Sequence, residues 1–288
     1  MTTATVDARP RFPVLHALLR DRAATIGLVM VLAFVLVAIL APWLAPYPAN
    51  EADPRLRLMP IGTEGHLLGL DHQGRDMLSR LIWGTQPSLV TGIVPVVLGA
   101  LISLPLGLLA AWYDRIGHVI MRSMDALFAF PMVLLAIMIS AFMGPGMINM
   151  IIALVITLIP YNTRVVYQAA REQLGLGYIE ALRATATPTP VILFVEMLPN
   201  VASAAIVYSS TIVGSTVISA AGLSFLGLGV QPPTAEWGIM VSEGRSVIFT
   251  APQASALPGL AITLLVIAFN LLGDGLRDAL DPRVRATM

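Results

Sequence analysis

The chain of 288 residues has no cysteine and no lysine, and only 12% of its residues are charged. The lack of cysteine excludes a disulfide framework and any thiolate metal site. The lack of lysine excludes Schiff-base chemistry and the usual Gly-Lys-Ser phosphate loop of an ATP site. All 17 basic residues are arginine, balanced by 17 acidic residues, and this zero net charge gives no electrostatic footprint for a nucleic-acid partner. So little charge cannot coat a soluble domain. What the chain does hold is 57% hydrophobic residues, a composition that belongs in a lipid bilayer.

A helix needs roughly 20 apolar residues to cross the hydrocarbon core. Runs of that kind predict six spans, at residues 23–46, 88–112, 124–143, 147–168, 201–223 and 257–273. Gly144-Pro145-Gly146 reads as a tight turn between the third and fourth. The first run is longer than the apolar part of a signal peptide and lacks a clean cleavage site after it, so it is read as a span. With a cytoplasmic N-terminus, the inside segments hold Arg9, Arg11, Arg20, Arg22, Arg115, Arg122, Arg164, Arg171, Arg183, Arg277, Arg283 and Arg285, and the outside segments only Arg55, Arg57, Arg75, Arg80 and Arg245. Arginine gathers on the cytoplasmic side. The tails 1–22 and 274–288 and the loop 169–200 are therefore expected inside, and the loops 47–87 and 224–256 outside.

The loop 169–200 carries "YIEALRATATPTPVILFVEMLPN". From Tyr178 on, Tyr178, Ala181, Leu182 and Thr185 share one helical face, with Glu180, Arg183 and Thr187 on the other. This short amphipathic helix is expected to stop near Ala186, since Pro188 disfavours helical geometry at Thr187. Thr187-Pro188 and Thr189-Pro190 read as N-cap and first-turn pairs that start a second helix through "VILFVEML". On periodicity alone, a hairpin lying on lipid headgroups fits equally well.

Within the spans, Pro160 is expected to free the Ile156 carbonyl and kink the fourth helix, with Asn162 and Thr163 near enough to satisfy the backbone. Asp125 and Arg164 are ionisable groups at depth, open to a pathway role or to local pairing. Ala205 and Ser209, Ser210 and Gly214, and Ser215 and Ser219 are small pairs four apart, the spacing of close helix approach in lipid. Asp76 and Arg80 read as an i,i+4 ion pair on a surface helix. His66, Asp71 and His72 on a glycine-rich loop read as ordinary loop polar groups, with no metal site assigned.

Glu180-Ala181, a turn at Ala186 and then Leu198-Pro199 resemble the EAA motif of ABC importer permeases, with Leu182, Ala186 and Glu196 departing from its usual residues. If residue 186 takes a positive φ, alanine there costs on the order of 1 kcal/mol relative to glycine. Four further stretches widen the resemblance to nearly the whole chain: "LLRDRAATIGLV", "HLLGLDHQGRDMLSRLIWGTQPSL", "LSFLGLGVQPPTAEWGIMVSEGR" and "FNLLGDGLRDALDPR". Together they look like the C-type permease subunit of dipeptide, oligopeptide and nickel ABC importers, with Leu70 and Gln86 departing.

The resemblance implies an all-α type I importer permease fold in a bacterial cytoplasmic membrane. It implies a heterodimer with a B-type permease, two cytoplasmic ATP-binding subunits that hold ATP and Mg, and an extracytoplasmic solute-binding protein. No cofactor is expected on this chain itself. The ATPase-coupling loop is expected to use Tyr178, Glu180, Ala181, Arg183, Ala186, Leu198 and Pro199, and gating or the pathway to involve Pro160, Arg164, Ser210 and Gly214. The binding protein is expected on loops that carry Asp71, Gly74, Arg75, Asp76, Glu236 and Trp237. No Ser-His-Asp set or converging carboxylates point to an enzyme. A secondary transporter or channel is the rival reading; it calls for a broken helix with midplane charges or an internal repeat, and neither is legible in the sequence.

Overall fold

A computed structural model describes residues 18–280. The tail arginines Arg9, Arg11, Arg283 and Arg285 lie outside the described residues. Nine helices carry the described chain: α1 (Arg22–Leu44), α2 (Met77–Trp112), α3 (Asp114–Phe128), α4 (Met132–Met143), α5 (Met147–Leu174), α6 (Gly177–Ala184), α7 (Thr189–Phe225), α8 (Trp237–Gly244) and α9 (Gln253–Leu280). Five of them are long and apolar enough to cross a membrane, and α3 with α4 makes a sixth if the bent pair counts as one span.

α1 starts where the Asp21 carboxylate accepts from the Ala23 and Ala24 amides, the usual service of an N-cap aspartate. α2 starts at Met77 rather than at 88. Asp76 accepts from the Ser79 amide at 2.7 Å, and the helix runs on for 36 residues through Pro87, Pro95 and Pro105, roughly 54 Å at 1.5 Å per residue. The apolar run 124–143 is not a single helix. It holds the end of α3 and all of α4, which meet at 90°, because Pro131 pushes Phe130 away from helical geometry. The bend lies at Ala129–Pro131, between α3 and α4.

α7 corrects the picture of a separate helical hairpin. Its first turns are the second helix of the loop 169–200, and they continue into the fifth span without a break. The Pro199 ring brings no N–H to the helix, and around it residues Ile192–Met197 widen into a π-turn in which the Leu198 amide donates to the Leu193 carbonyl. Such single-turn widening is how a long helix absorbs a misfit residue.

α2 is the hub of the bundle, packed against α1, α5 and α7. Three glycines let it come close: a Cβ at Gly92 would collide with Val217, at Gly99 it would press on Leu158, and at Gly107 it would fall on Val166 and the Tyr167 backbone. α9 lies between α1 and α7, with Gly27 on Leu272 and Gly273 on Ser210. Of the small residues expected to pack, Ala205 is buried and Gly214 meets Asn270, whereas Ser215 is exposed. α5 runs through Pro160, and the neighbouring carbonyls find side chains: Ser103 donates to Ile159 at 3.2 Å and Asn162 to Leu158 at 3.4 Å. The Thr163 hydroxyl has no partner among the described residues.

Candidate functional site

At one end of the bundle, α6 stands on a single buried foot. Ile179 is fully buried in a cluster with Leu108 and Ala111 of α2, Val166 and Ala170 of α5, and Ile192 and Leu193 of α7. Beside it the Tyr178 hydroxyl donates to the Gln173 side-chain oxygen at 2.6 Å. Glu180 and Ala181 are exposed on the opposite side. Arg183 is exposed too, yet its guanidinium lies 4.6 Å from the centre of the Trp112 ring.

α6 ends in two backbone bonds, Ala186 amide to Arg183 carbonyl and Thr187 amide to Leu182 carbonyl, each 3.1 Å. Ala186 between them has φ +54°. This is the Schellman pattern, in which the residue just past the helix takes the left-handed conformation that glycine adopts freely. Helix α6 thus stops at Ala184, two residues before the expected point, and the stop comes from this turn rather than from Pro188. The Thr-Pro pairs do not cap α7 through a threonine side chain; Thr185 instead bonds back to the Ala181 and Leu182 carbonyls. Ala186→Gly is expected to raise stability by up to about 1 kcal/mol, because relief of ~1–2 kcal/mol of left-handed strain exceeds the ~0.4–1 kcal/mol of added chain entropy. A higher unfolding midpoint of the purified protein checks it. Leu198 is half-buried, and Pro199 and Asn200 are exposed.

Next to this loop an open cleft of about 940 Å³ lies between the ends of α5, α7 and α9, lined by Glu172, Gln173, Asn200, Ser203, Tyr208 and Arg277 among others. Ser210 and Gly214 do not line it; both face α9. Tyr208 and Thr211 take that position, and nothing in the sequence marked them. Pro160 is buried, and Arg164 is paired locally: it meets Asp125 at 2.6 Å and lies over the Phe128 ring at 4.1 Å. That contact ties the α3–α4 elbow to α5.

At the other end, the loop 47–76 folds over α2 and α8. Asp71 accepts from the Gln73 and Arg75 amides at 2.8 and 2.9 Å and from Arg75 Nε at 2.6 Å. Arg75 reaches on to Glu243 at 2.7 Å, and Arg80 lies between the same two carboxylates at 3.5 and 3.3 Å. The expected Asp76–Arg80 ion pair does not form. Asp76 caps α2 and meets His66 Nδ1 at 2.9 Å, while Arg80 turns to Asp71 and Glu243. Glu236 caps α8, accepting from the Gly238 and Ile239 amides at 2.9 and 3.0 Å, and the Trp237 indole donates to the Leu81 carbonyl at 3.0 Å. Burial pushes the Glu236 carboxyl upward in pKa, against the pull of the two amides and of Ser224 and Ser88.

Asp71, Gly74, Arg75, Asp76, Glu236 and Trp237 are thus all buried within the chain. Within this chain their side chains build and brace the loops that carry them. Gly74 is held at φ +81°, where a Cβ would collide with the Asp53 carbonyl. The oxygen and nitrogen ligand atoms of Asp71, His72 and Glu243 lie within 4.8 Å of one another, but Arg75 and Arg80 neutralise both carboxylates, which leaves no negative surplus for a divalent cation.

Long apolar helices with a buried charge network at one end and an open polar cleft at the other define a polytopic helical membrane protein. Residues 103–286 match the family model described as binding-protein-dependent transport system inner membrane component, and residues 14–60 match the N-terminal TM domain of oligopeptide transport permease C. The chain is 44% identical over 269 residues to the glutathione transport system permease protein GsiD of Pectobacterium atrosepticum, covering 93% of this chain and 89% of that one. It is 44% identical to the di/tripeptide transport system permease protein DppC of Pseudomonas aeruginosa, over 92% and 89% of the two chains. A putative peptide transport system permease protein of Brucella abortus is 42% identical, over 93% and 90%.

The chain belongs to the binding-protein-dependent transport system inner membrane component family, as a permease subunit of the oligopeptide permease C type. It is an inner-membrane, multi-pass subunit of an ABC importer whose ATPase is a separate protein. Membership implies an ATPase, a binding protein and a partner permease.

Proposed function

We propose that this permease imports a short peptide or glutathione, the solute classes named for its relatives. Both termini face the cytoplasm. The chain pairs with a B-type permease to form the translocation path, of which the cleft beside Tyr208 and Arg277 is this chain's half. Two ATP-binding subunits dock on the loop 178–200, and the solute-binding protein docks on the outer loops, through exposed residues that the buried network holds in place.

The observation that carries this reading is the α6 turn. Its left-handed Ala186 sits at the EAA-type glycine position, and the turn presents Glu180 outward with no ion-pair partner among the described residues. A nucleotide-driven movement of the docked ATPase then reaches α7 directly, since the loop's second helix and the span are one helix. ATP shifts the permease only through its differential affinity for the two states. Glu180→Ala, and separately Ala186→Asp, are expected to lower ATP-driven uptake into proteoliposomes severalfold while membrane insertion stays normal. Full uptake in both variants sinks the docking role. Co-purification of the tagged chain identifies the permease, ATPase and binding-protein partners directly.

A further inference from the structure

The geometry points to a strap between α6 and α2: Arg183, packed on the face of Trp112, is a positioning residue that passes movement of the coupling helix into the hub of the bundle. This rests on the proposed coupling role of residues 178–200 and specifies which way Arg183 faces.

Two charges sit one turn apart on α6 and go different ways. Glu180 is exposed and unpaired. Arg183 has no carboxylate within ion-pair distance among the described residues, although Glu180 lies at the favourable i,i+3 spacing. Its guanidinium instead lies 4.6 Å from the Trp112 ring centre, inside the ~6 Å range of a cation–π contact and on the aromatic that favours it most. A planar guanidinium stacks on such a face in a way an ammonium does not.

The place of this contact matters more than its strength. Ile179 and Arg183 are four residues apart, on one face of α6. Ile179, Tyr178 and Leu182 seat the first turns of α6 on the cluster and on Gln173; the Arg183 contact adds an attachment at the last turn, to the end of α2. Trp112 is the last residue of α2, the helix that packs on α1, α5 and α7. Five residues earlier Gly107 seats α2 against Val166 of α5. A roll of α6 therefore pulls on the end of α2 by a route separate from the covalent link into α7.

The test measures solute moved per ATP hydrolysed by the whole reconstituted importer, for Arg183→Gln, Trp112→Leu, the pair together, Arg183→Lys and Trp112→Phe. Each of the first two is expected to lower that ratio by about two- to fivefold, the double variant is no worse than the weaker single one, and the lysine and phenylalanine variants recover part of the loss. ATPase subunits co-purify as before. The proposal is overturned if Trp112→Leu and Trp112→Phe leave the ratio unchanged while Arg183→Gln lowers it or sheds the ATPase, since Arg183 then touches the partner. Additive losses in the double variant overturn it equally. Failure of the coupling reading itself shows elsewhere, as full uptake in both Glu180→Ala and Ala186→Asp.

Discussion

Arg75→Met is expected to remove roughly 3–5 kcal/mol of stability and to leave little folded protein in the membrane. Arg75 is 2% exposed and makes the two shortest contacts in its network, to Asp71 at 2.6 Å and Glu243 at 2.7 Å. Its loss leaves two carboxylates to share Arg80, which approaches them only at 3.5 and 3.3 Å. The penalty comes from the charge left behind, so removing that charge gives much of it back. Arg75→Met with Glu243→Gln is expected to be clearly more stable than Arg75→Met alone, a coupling that a double-mutant cycle reads directly. Thermal unfolding of the purified protein in detergent is the measurement. A loss under about 1 kcal/mol for the single variant would place the network in the class of solvated surface pairs.

Gly107→Leu is the second substitution with a large expected effect. A Cβ at this position falls on the Val166 side chain and within 3.0 Å of the Tyr167 backbone nitrogen. A flexible side chain can give way, but a helix backbone cannot without parting α2 from α5. Overpacking of this kind costs about 1–3 kcal/mol and more where backbone must move, and in lipid no hydrophobic force between helices offsets it. Gly259→Ala is the control: nothing lies within 4 Å of its Cβ position, and the change stays within about 1 kcal/mol. Equal stability of the two variants would remove the close approach as the reason for glycine at 107.

Much of the membrane part was legible because it depends on composition alone. The runs for α1, α5 and α9 announce themselves, and the turn at Ala186 is marked by the family resemblance rather than by any local pattern. The failures share a different cause. Asp71, Arg75, Asp76 and Glu236 look like surface in a string of letters, since charge is seldom buried. Arg75 finds Glu243 168 positions away, a distance that no local pattern spans. The first turns of α2 hide for the same reason: Ser79 and Arg80 are buried by the preceding loop 47–76 and by Pro233 and Glu243 far along the chain. The α3–α4 break had a local signal in Phe130-Pro131, hidden by the apolar residues on both sides. Tyr208, Thr211 and the Arg183–Trp112 contact depend on which faces of α6 and α7 turn toward their neighbours, and a helical period repeats without saying where zero lies.

The elbow at Ala129–Pro131 has a consequence for the surrounding lipid. α4 has 12 residues and reaches roughly 18 Å, little more than half of a hydrocarbon layer about 30 Å thick. Beyond its first residue the backbone turns through 90° into α3, whose Ile116 and Val119 stay uncovered by the rest of the chain. α4 alone is therefore too short to cross the layer, and the outline that α3 and α4 give this subunit turns through a right angle at the elbow.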